Sequence, residues 1–398
     1  MIIELIIALI IGVMAGTFTG LFPGIHINLV ATLLISSSLI SLVSPLTAVI
    51  FIVAMSITHT FLDFIPSIYL GAPQEDSFLS ILPGHQLLKE GRGHEAVVLT
   101  LYGSIFALPV ILIFTPIFVF ILPMIYGLVA LIMPFILIFI SLFLIFREEN
   151  IFSSFLVFAL SGLLGLLTFN LPIKEPLMPL LTGLFGVSAL FISIKNKSGM
   201  EKQKELSLKE IKLTKNEFGK ACSAAIISSP FCSFLPGIGS GHAAVIGSEL
   251  IEQNNKSFLF LVGSLNTIVM GLSFVTAYVI QKTRTGSATI IQEILTKITF
   301  QNLMVILLII ILSSLFAFFI GLYISKKAST VLNKISYRLL SIVTLVVLIS
   351  LTLIFSNFLG LTVLITGASI GAFCILSNSR RINLMGCLLI PTIIYYLF

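Results

Sequence analysis

Charge is what this chain has least of. Asp, Glu, Lys and Arg together make up 10% of 398 residues, against 58% hydrophobic residues and a mean hydropathy of +1.17. That balance excludes an ordinary soluble domain. Apolar runs of about 20 residues recur from end to end, the length that crosses a bilayer as a helix. No stretch between them is long enough to bury a core. The alternating pattern of a membrane barrel is missing too, because the runs are continuous. Cysteine is scarce: Cys222, Cys232, Cys374 and Cys387 lie in or beside apolar segments with no Cys-x-x-Cys pair, which argues against a disulfide framework or zinc site. They read as small buried apolar residues. Met1-Ile2-Ile3-Glu4 lacks a basic n-region and a small-residue cleavage site, so 2–22 is expected to be a retained membrane helix. There is no Gly-x-x-x-x-Gly-Lys-Ser/Thr loop for an ATP-driven pump. No His-Glu-x-x-His pattern, nucleophile–base pair or paired-carboxylate motif supports a lipid-acting enzyme, so no catalytic residue is expected.

What is there is a set of apolar segments near 2–22, 25–42, 45–70, 96–122, 124–146, 151–169 and 177–194. A second set runs near 220–235, 238–251, 257–280, 300–324, 339–355, 358–376 and 382–398. Seven and seven is the count of a duplicated protein. Between the sets, Lys195 to Lys220 carries eight lysines against four glutamates. This divides the chain into a first transmembrane repeat (1–194), a charged cytoplasmic linker (195–219) and a second transmembrane repeat (220–398). The formal charge of +6 sits mostly in loops, where positive-inside bias explains it better than nucleic acid does.

One stretch is used twice. Phe22-Pro23-Gly24-Ile25-His26-Ile27-Asn28 and Leu235-Pro236-Gly237-Ile238-Gly239-Ser240-Gly241-His242 each sit between a long apolar run and a shorter one. Pro and Gly should stop a helix there and allow a new one to begin. In hydrocarbon such a break is tolerated only where the freed backbone groups are buried in protein or line a polar cavity. The new helix N-terminus, with unpaired N–H groups and a positive dipole end, attracts an anion. The plain alternative is a pair of proline kinks used for packing.

Pro23 and Pro236 lie 213 positions apart, and the same offset carries 71–82 onto 284–295, both polar stretches after a third segment. If 25–42 and 238–251 turn back with their predecessors as re-entrant hairpins, each half keeps five full spans, an odd number, and the halves are inverted. Placing the linker inside also puts Lys89, Arg92, Arg147, Lys326, Lys327, Lys334, Arg338, Arg380 and Arg381 inside, and only Lys282 and Arg284 outside. The expected fold is therefore an all-α polytopic membrane protein of two inverted-topology repeats. Each repeat has a broken or re-entrant helix hairpin at a Pro-Gly motif plus about five spanning helices, the pattern of a secondary transporter. A multi-pass protein of the cell membrane is the expected location.

Three stretches carry a family resemblance: Gly20-Leu21-Phe22-Pro23-Gly24-Ile25, Leu82-Pro83-Gly84-His85-Gln86-Leu87-Leu88-Lys89-Glu90-Gly91-Arg92-Gly93-His94-Glu95-Ala96, and Phe234-Leu235-Pro236-Gly237-Ile238-Gly239. Over most of its length the chain resembles the large membrane subunit of tripartite tricarboxylate transporters. The resemblance implies import of carboxylates together with a small membrane subunit and an extracytoplasmic binding protein. The second break is also similar, more distantly, to the Pro-Gly motif of polyprenyl-phosphate transporters, which move a lipid phosphate carrier across the membrane.

The candidate substrate-binding residues are Pro23, Gly24, His26 and Asn28 at the first break, and Pro236, Gly237, Gly239, Ser240, Gly241 and His242 at the second. His26 and His242 fall in the first turn of the new helices, where each can meet a substrate oxygen or hydrogen-bond a neighbouring carbonyl. The ion-coupling candidates are His59, Asp63, Glu249 and Asn266, with Na+ or H+ as the coupling ion and no other cofactor. His59 and Asp63, at i and i+4, are expected to hydrogen-bond each other. Asp63 is a functional candidate as an acid within a span, with a reach to the cytoplasmic interface as the alternative. Asn266-Thr267 can face a cavity or bond a neighbouring helix. Lys89 and Arg92, in a turn with His94 and Glu95, either line an inner vestibule that draws in an anion or act as a positive-inside anchor. Gln74, Glu75 and Asp76 precede a helix, with Asp76 or Ser77 as its N-cap.

Overall fold

A computed structural model describes residues 2–22, 43–71, 77–173, 175–195, 201–204, 206–234, 239–334 and 337–397, and shows no strand among them. Pro23, Gly24, His26, Asn28, Pro236 and Gly237 lie outside the described residues, as do the segment 25–42 and Gln74, Glu75 and Asp76.

The helices are α1 (Ile2–Leu21), α2 (Pro45–Leu62), α3 (Phe64–Leu70), α4 (Ile81–Lys89), α5 (Gly93–Phe146), α6 (Ile151–Asn170), α7 (Leu177–Leu181), α8 (Ser188–Lys195), α9 (Lys215–Phe234), α10 (Ser240–Leu250), α11 (Asn255–Ile280), α12 (Gly286–Leu295), α13 (Phe300–Leu332), α14 (Tyr337–Leu376) and α15 (Gly386–Leu397). A π-helical segment, Thr182–Val187, joins α7 to α8, and a short 3-10 helix, Arg381–Met385, leads into α15. Among the described residues, seven helical stretches are long and apolar enough to cross a membrane. They form two shells. In Pro45–Leu70 and Asn255–Ile280, 94% of the apolar window is buried, while the other five spans bury 28% to 44% and leave rows of Ile, Leu and Phe exposed. Helices apolar all round belong inside a bundle, and the exposed faces suit lipid.

The innermost helix of the first half is gripped through a small-residue stripe. Gly12, Gly16 and Gly20 of α1 recur every four residues along the contact with α2, and a methyl group on Gly12 would lie 2.6 Å from the Phe51 carbonyl oxygen. Without a hydrophobic force between helices in lipid, close backbone approach of this kind drives association.

Two long elements double back. Helix α5 has 54 residues, about 80 Å if straight at 1.5 Å per residue. Yet Glu95 near its start binds Lys256, and Arg147 at its end binds Glu249, only seven positions from Lys256. Both ends thus return to one place, which agrees with the two segments 96–122 and 124–146. The backbone between them is helical through Pro123, where the sequence suggested a gap. One proline removes a single helix bond, and in an apolar setting helix remains the state that satisfies the rest. Helix α14 breaks at Asn357 (φ 56°, ψ −164°), between the segments 339–355 and 358–376. Leu348 and Leu364, on either side of that break, share a small apolar cluster with Val187 and Leu190, so its two arms pack side by side.

The linker is not a loose tether. The Gln203 side chain is buried; its Oε1 accepts from Gly93 N–H (2.9 Å) and its Nε2 donates to the Leu88 carbonyl (2.9 Å). Its own peptide is held on both sides by the Asn333 amide at the end of α13 (2.6 and 3.2 Å). Flanking it, Glu201 N–H donates to the Lys89 carbonyl (2.9 Å) and Lys204 N–H to that of Gly91 (2.7 Å). Gly91 sits at φ +75°, and a side chain there would strike the Lys202 carbonyl as well. Helix α9 begins at Lys215, inside the stretch read as linker.

Candidate functional site

Three polar regions interrupt the apolar interior. The first lies between the innermost helices of the two halves. Pro66 has no N–H to give the carbonyl of Leu62, and the helix is interrupted at Asp63, between α2 and α3. Asp63 is 1% exposed, so it does not reach an interface as one reading of the sequence allowed. It accepts from Asn266 Nδ2 of α11 at 2.9 Å, and the same amide donates to the Thr60 carbonyl at 3.3 Å. Thr60 and Thr267 hydroxyls meet at 3.2 Å. Asn266-Thr267 thus bonds a neighbouring helix. His59 Nδ1 lies 3.0 Å from the Thr19 hydroxyl of α1, a partner the i, i+4 reading did not give it. Ser67 donates to the Asp63 carbonyl (2.9 Å) and meets Ser77 Oγ at 2.6 Å. Ser77 precedes a short 3-10 helix by position but makes no side-chain cap bond.

The second region is the start of α10. Sequence placed this start at Ile238; the described helix begins at Ser240, with Gly239 as an extended N-cap (φ −101°, ψ −178°) and His242 in the first turn. Gly239 N–H donates to His242 Nδ1 at 3.0 Å. An accepting Nδ1 carries no proton, so the ring is neutral with its proton on Nε2. Residue His242 is 4% exposed, and its Nε2 has no hydrogen-bond partner among the described residues. A buried N–H donor without an acceptor costs about 1–3 kcal/mol. Gly241 beside it packs on Phe78, whose ring atoms would lie 2.9 and 3.0 Å from an added methyl.

The third region is charged. Glu249, on the last turn of α10, binds Arg147 and accepts from Arg380 Nη1 at 2.8 Å; Arg380 Nε also reaches Glu148 at 2.6 Å. Two guanidiniums therefore hold Glu249, which sets it apart from Asp63. Nearby, Asn255 donates to Gln86 (2.9 Å), Lys256 pairs with Glu95 (2.9 Å), and Arg92 clamps Glu95 through Nε and Nη2 (2.7 and 2.8 Å). That clamp raises the Arg92 pKa above its ordinary value, and burial lowers that of Lys89. His94 is buried, with Nδ1 2.9 Å from Ser325 Oγ. Through these contacts and the Gln203 clasp, Lys89, Arg92, Arg147 and Arg380 gather with the stretch 201–204. A cavity of about 470 Å³ opens here, bordered by Arg147, Arg380, Arg381, Glu249, Phe78 and Phe185, and Lys89 and Arg92 lie outside its wall. Its arginines were read from sequence only as topology signals. Their place beside one another depends on chain returns that no local pattern encodes. Among the described residues no group of three His, Cys, Asp or Glu could hold a metal ion, and the four cysteines are free and buried.

Seven candidate spans around a buried polar interior define a multi-pass helical membrane protein. Residues 6–386 match the Tripartite tricarboxylate transporter TctA family, and the chain belongs to it. It is thus a membrane transporter of the kind that forms the large subunit of a tripartite system, alongside a small membrane subunit and a binding protein. The uncharacterized protein MJ1079 of Methanocaldococcus jannaschii is 30% identical over 359 residues, covering 87% of this chain and 88% of the relative. No solved structure matches.

Proposed function

We propose that the chain is a secondary active transporter that takes up a di- or tricarboxylate across the cell membrane, coupled to Na+ or H+. The substrate is held near the midplane where the two Pro-Gly breaks meet. The observation that carries this reading is His242: a neutral imidazole, buried at the start of an 11-residue helix, with Nε2–H lacking an acceptor among the described residues. A carboxylate oxygen would satisfy that donor and the helix N-terminus together. Two inverted halves, 1–194 and 220–398, supply the architecture. In support, α1 and α9 are both 20 residues long and their ends are offset by 213, the spacing of the two prolines. The same offset carries Gly12, Gly16 and Gly20 onto Ala225, Ser229 and Ser233, again small residues. The oxygens around Asp63 are the candidate coupling-ion ligands.

The test is thermal stabilisation of the detergent-purified chain by di- and tricarboxylates and by a short-chain polyprenyl phosphate, each with and without sodium at two pH values. A ligand that binds only the folded state at a hundredfold its Kd adds about 2.7 kcal/mol of stability. Citrate or a dicarboxylate should stabilise the protein in a sodium- or proton-dependent way, and His242→Ala and Gly237→Val should lose the sodium- or proton-dependent part of that response while remaining folded. A shift with polyprenyl phosphate alone would replace the carboxylate reading with the lipid-carrier one.

A further inference from the structure

The cavity at the charged end has an uneven charge account. Of its three arginines, Arg147 is held by Glu249, and Arg380 by Glu249 and Glu148. Arg381 has no carboxylate within salt-bridge distance among the described residues. Among the described residues, its side-chain hydrogen bonds leave from Nη2, to the Leu184 carbonyl (3.3 Å), the Phe185 carbonyl (2.5 Å) and Ser188 Oγ (3.1 Å), and its buried Nε has no partner. The acceptors come from the π segment Thr182–Val187 and the residue after it. A π turn lengthens the helical ring and leaves carbonyls without their usual partners, and such turns are frequent at functional sites. Here they grip one edge of a guanidinium and fix its plane. The remaining acid on the wall, Glu252, is exposed.

The cavity is also tied to the helix start. Arg381 lies over the Phe185 ring (5.6 Å), Phe185 packs on Phe78 (4.6 Å between centroids), and Phe78 packs on Gly241, next to His242. An aromatic pair thus stands between a guanidinium with no carboxylate partner and an imidazole N–H with no acceptor, both among the described residues. A volume of about 470 Å³ falls within the ~300–1,000 Å³ of small-molecule sites.

We propose that this cavity is a second anion-binding station, in which Arg381 takes a carboxylate group of the substrate on the far side of the Phe78–Phe185 pair from His242. The proposal rests on the reading of the chain as an anion transporter. With its Nη2 hydrogens taken by Leu184, Phe185 and Ser188, the guanidinium is fixed in plane and offers Nη1 as a charged donor to a single carboxylate oxygen.

The test is equilibrium binding of citrate, with inorganic phosphate as the second probe, to the purified full chain, its Arg381→Gln and Arg381→Lys variants, and His242→Ala. Losing a charged hydrogen-bond partner should weaken citrate about 10- to 100-fold in Arg381→Gln. Arg381→Lys, which keeps the charge but not the planar group anchored on the Leu184 and Phe185 carbonyls, should fall between it and the wild type. Citrate should still bind His242→Ala at the cavity. Where Arg381→Gln does not fold, phenylglyoxal labelling of the wild type decides: citrate should protect Arg381 from modification. A wild type that binds neither probe overturns the transporter reading along with this one. Citrate binding unchanged in a folded Arg381→Gln, or labelling of Arg381 unaffected by saturating citrate, overturns the second station alone. Phosphate binding more tightly than citrate at Arg381 would overturn its assignment to a carboxylate.

Discussion

The interior around Asp63 and the cavity around Arg381 are both polar, yet they are built from opposite chemistry. Near Asp63 the recurring groups are oxygens: the carboxylate itself, the hydroxyls of Thr60, Thr267 and Ser67, and the Thr60 carbonyl, with one neutral amide from Asn266. At the cavity they are guanidiniums, two neutralised and one left over. Oxygens on a carboxylate suit a small cation or a proton, and a fixed guanidinium suits an anion. The difference teaches that one interior can hold a cation-suited and an anion-suited region apart, as the proposed function requires. The two chemistries are separated in space and joined through packed helices.

The largest break in that comparison should come from Asp63→Asn. The factor by which sodium or protons tighten citrate binding, on the order of 5- to 150-fold for an ordinary coupling, should fall to one, measured by citrate titrations with and without the cation. Retained coupling in a folded Asp63→Asn would remove the interior from the ion's path. Glu249→Gln should act with the opposite sign. It takes a negative charge from the cavity wall, so citrate should bind about 3- to 10-fold tighter at low salt, with the gain shrinking as ionic strength rises. Equal or weaker binding would mean that the wall does not meet the anion. Thr60→Val should cost about 1 kcal/mol of stability through the lost contact to Thr267, read by denaturation, and weaken the cation's effect on citrate binding by less than Asp63→Asn does.

Much of the bundle was legible in the sequence because hydropathy alone marks what must leave water. The segments 96–122 and 124–146, and 339–355 and 358–376, survive as the arms of two doubled-back elements, although Pro123 is helical and Asn357 carries the turn. The partners of polar side chains were less legible. His59 and Asp63 share a helix face, which suggested a pair, and Thr19 and Asn266 also reach them from helices 40 and 203 positions away, which no local pattern announces. Arg380 and Arg381 look alike in sequence. One ends in an ion-pair network with Glu148 and Glu249 and the other on backbone carbonyls, because register on the 3-10 helix turns them to different neighbours.

The clasp around Gln203 has a mechanical consequence. Its side chain closes on the Leu88–Gly93 turn of the first half while its peptide is held by Asn333 of the second, so the two halves are riveted at this corner by more than the chain that connects them. Under the proposed two-repeat architecture, rocking of one half against the other would use this corner as its fulcrum, with the longest travel at the opposite end of the molecule. A protein nicked in the stretch 206–214 would still turn on the same pivot.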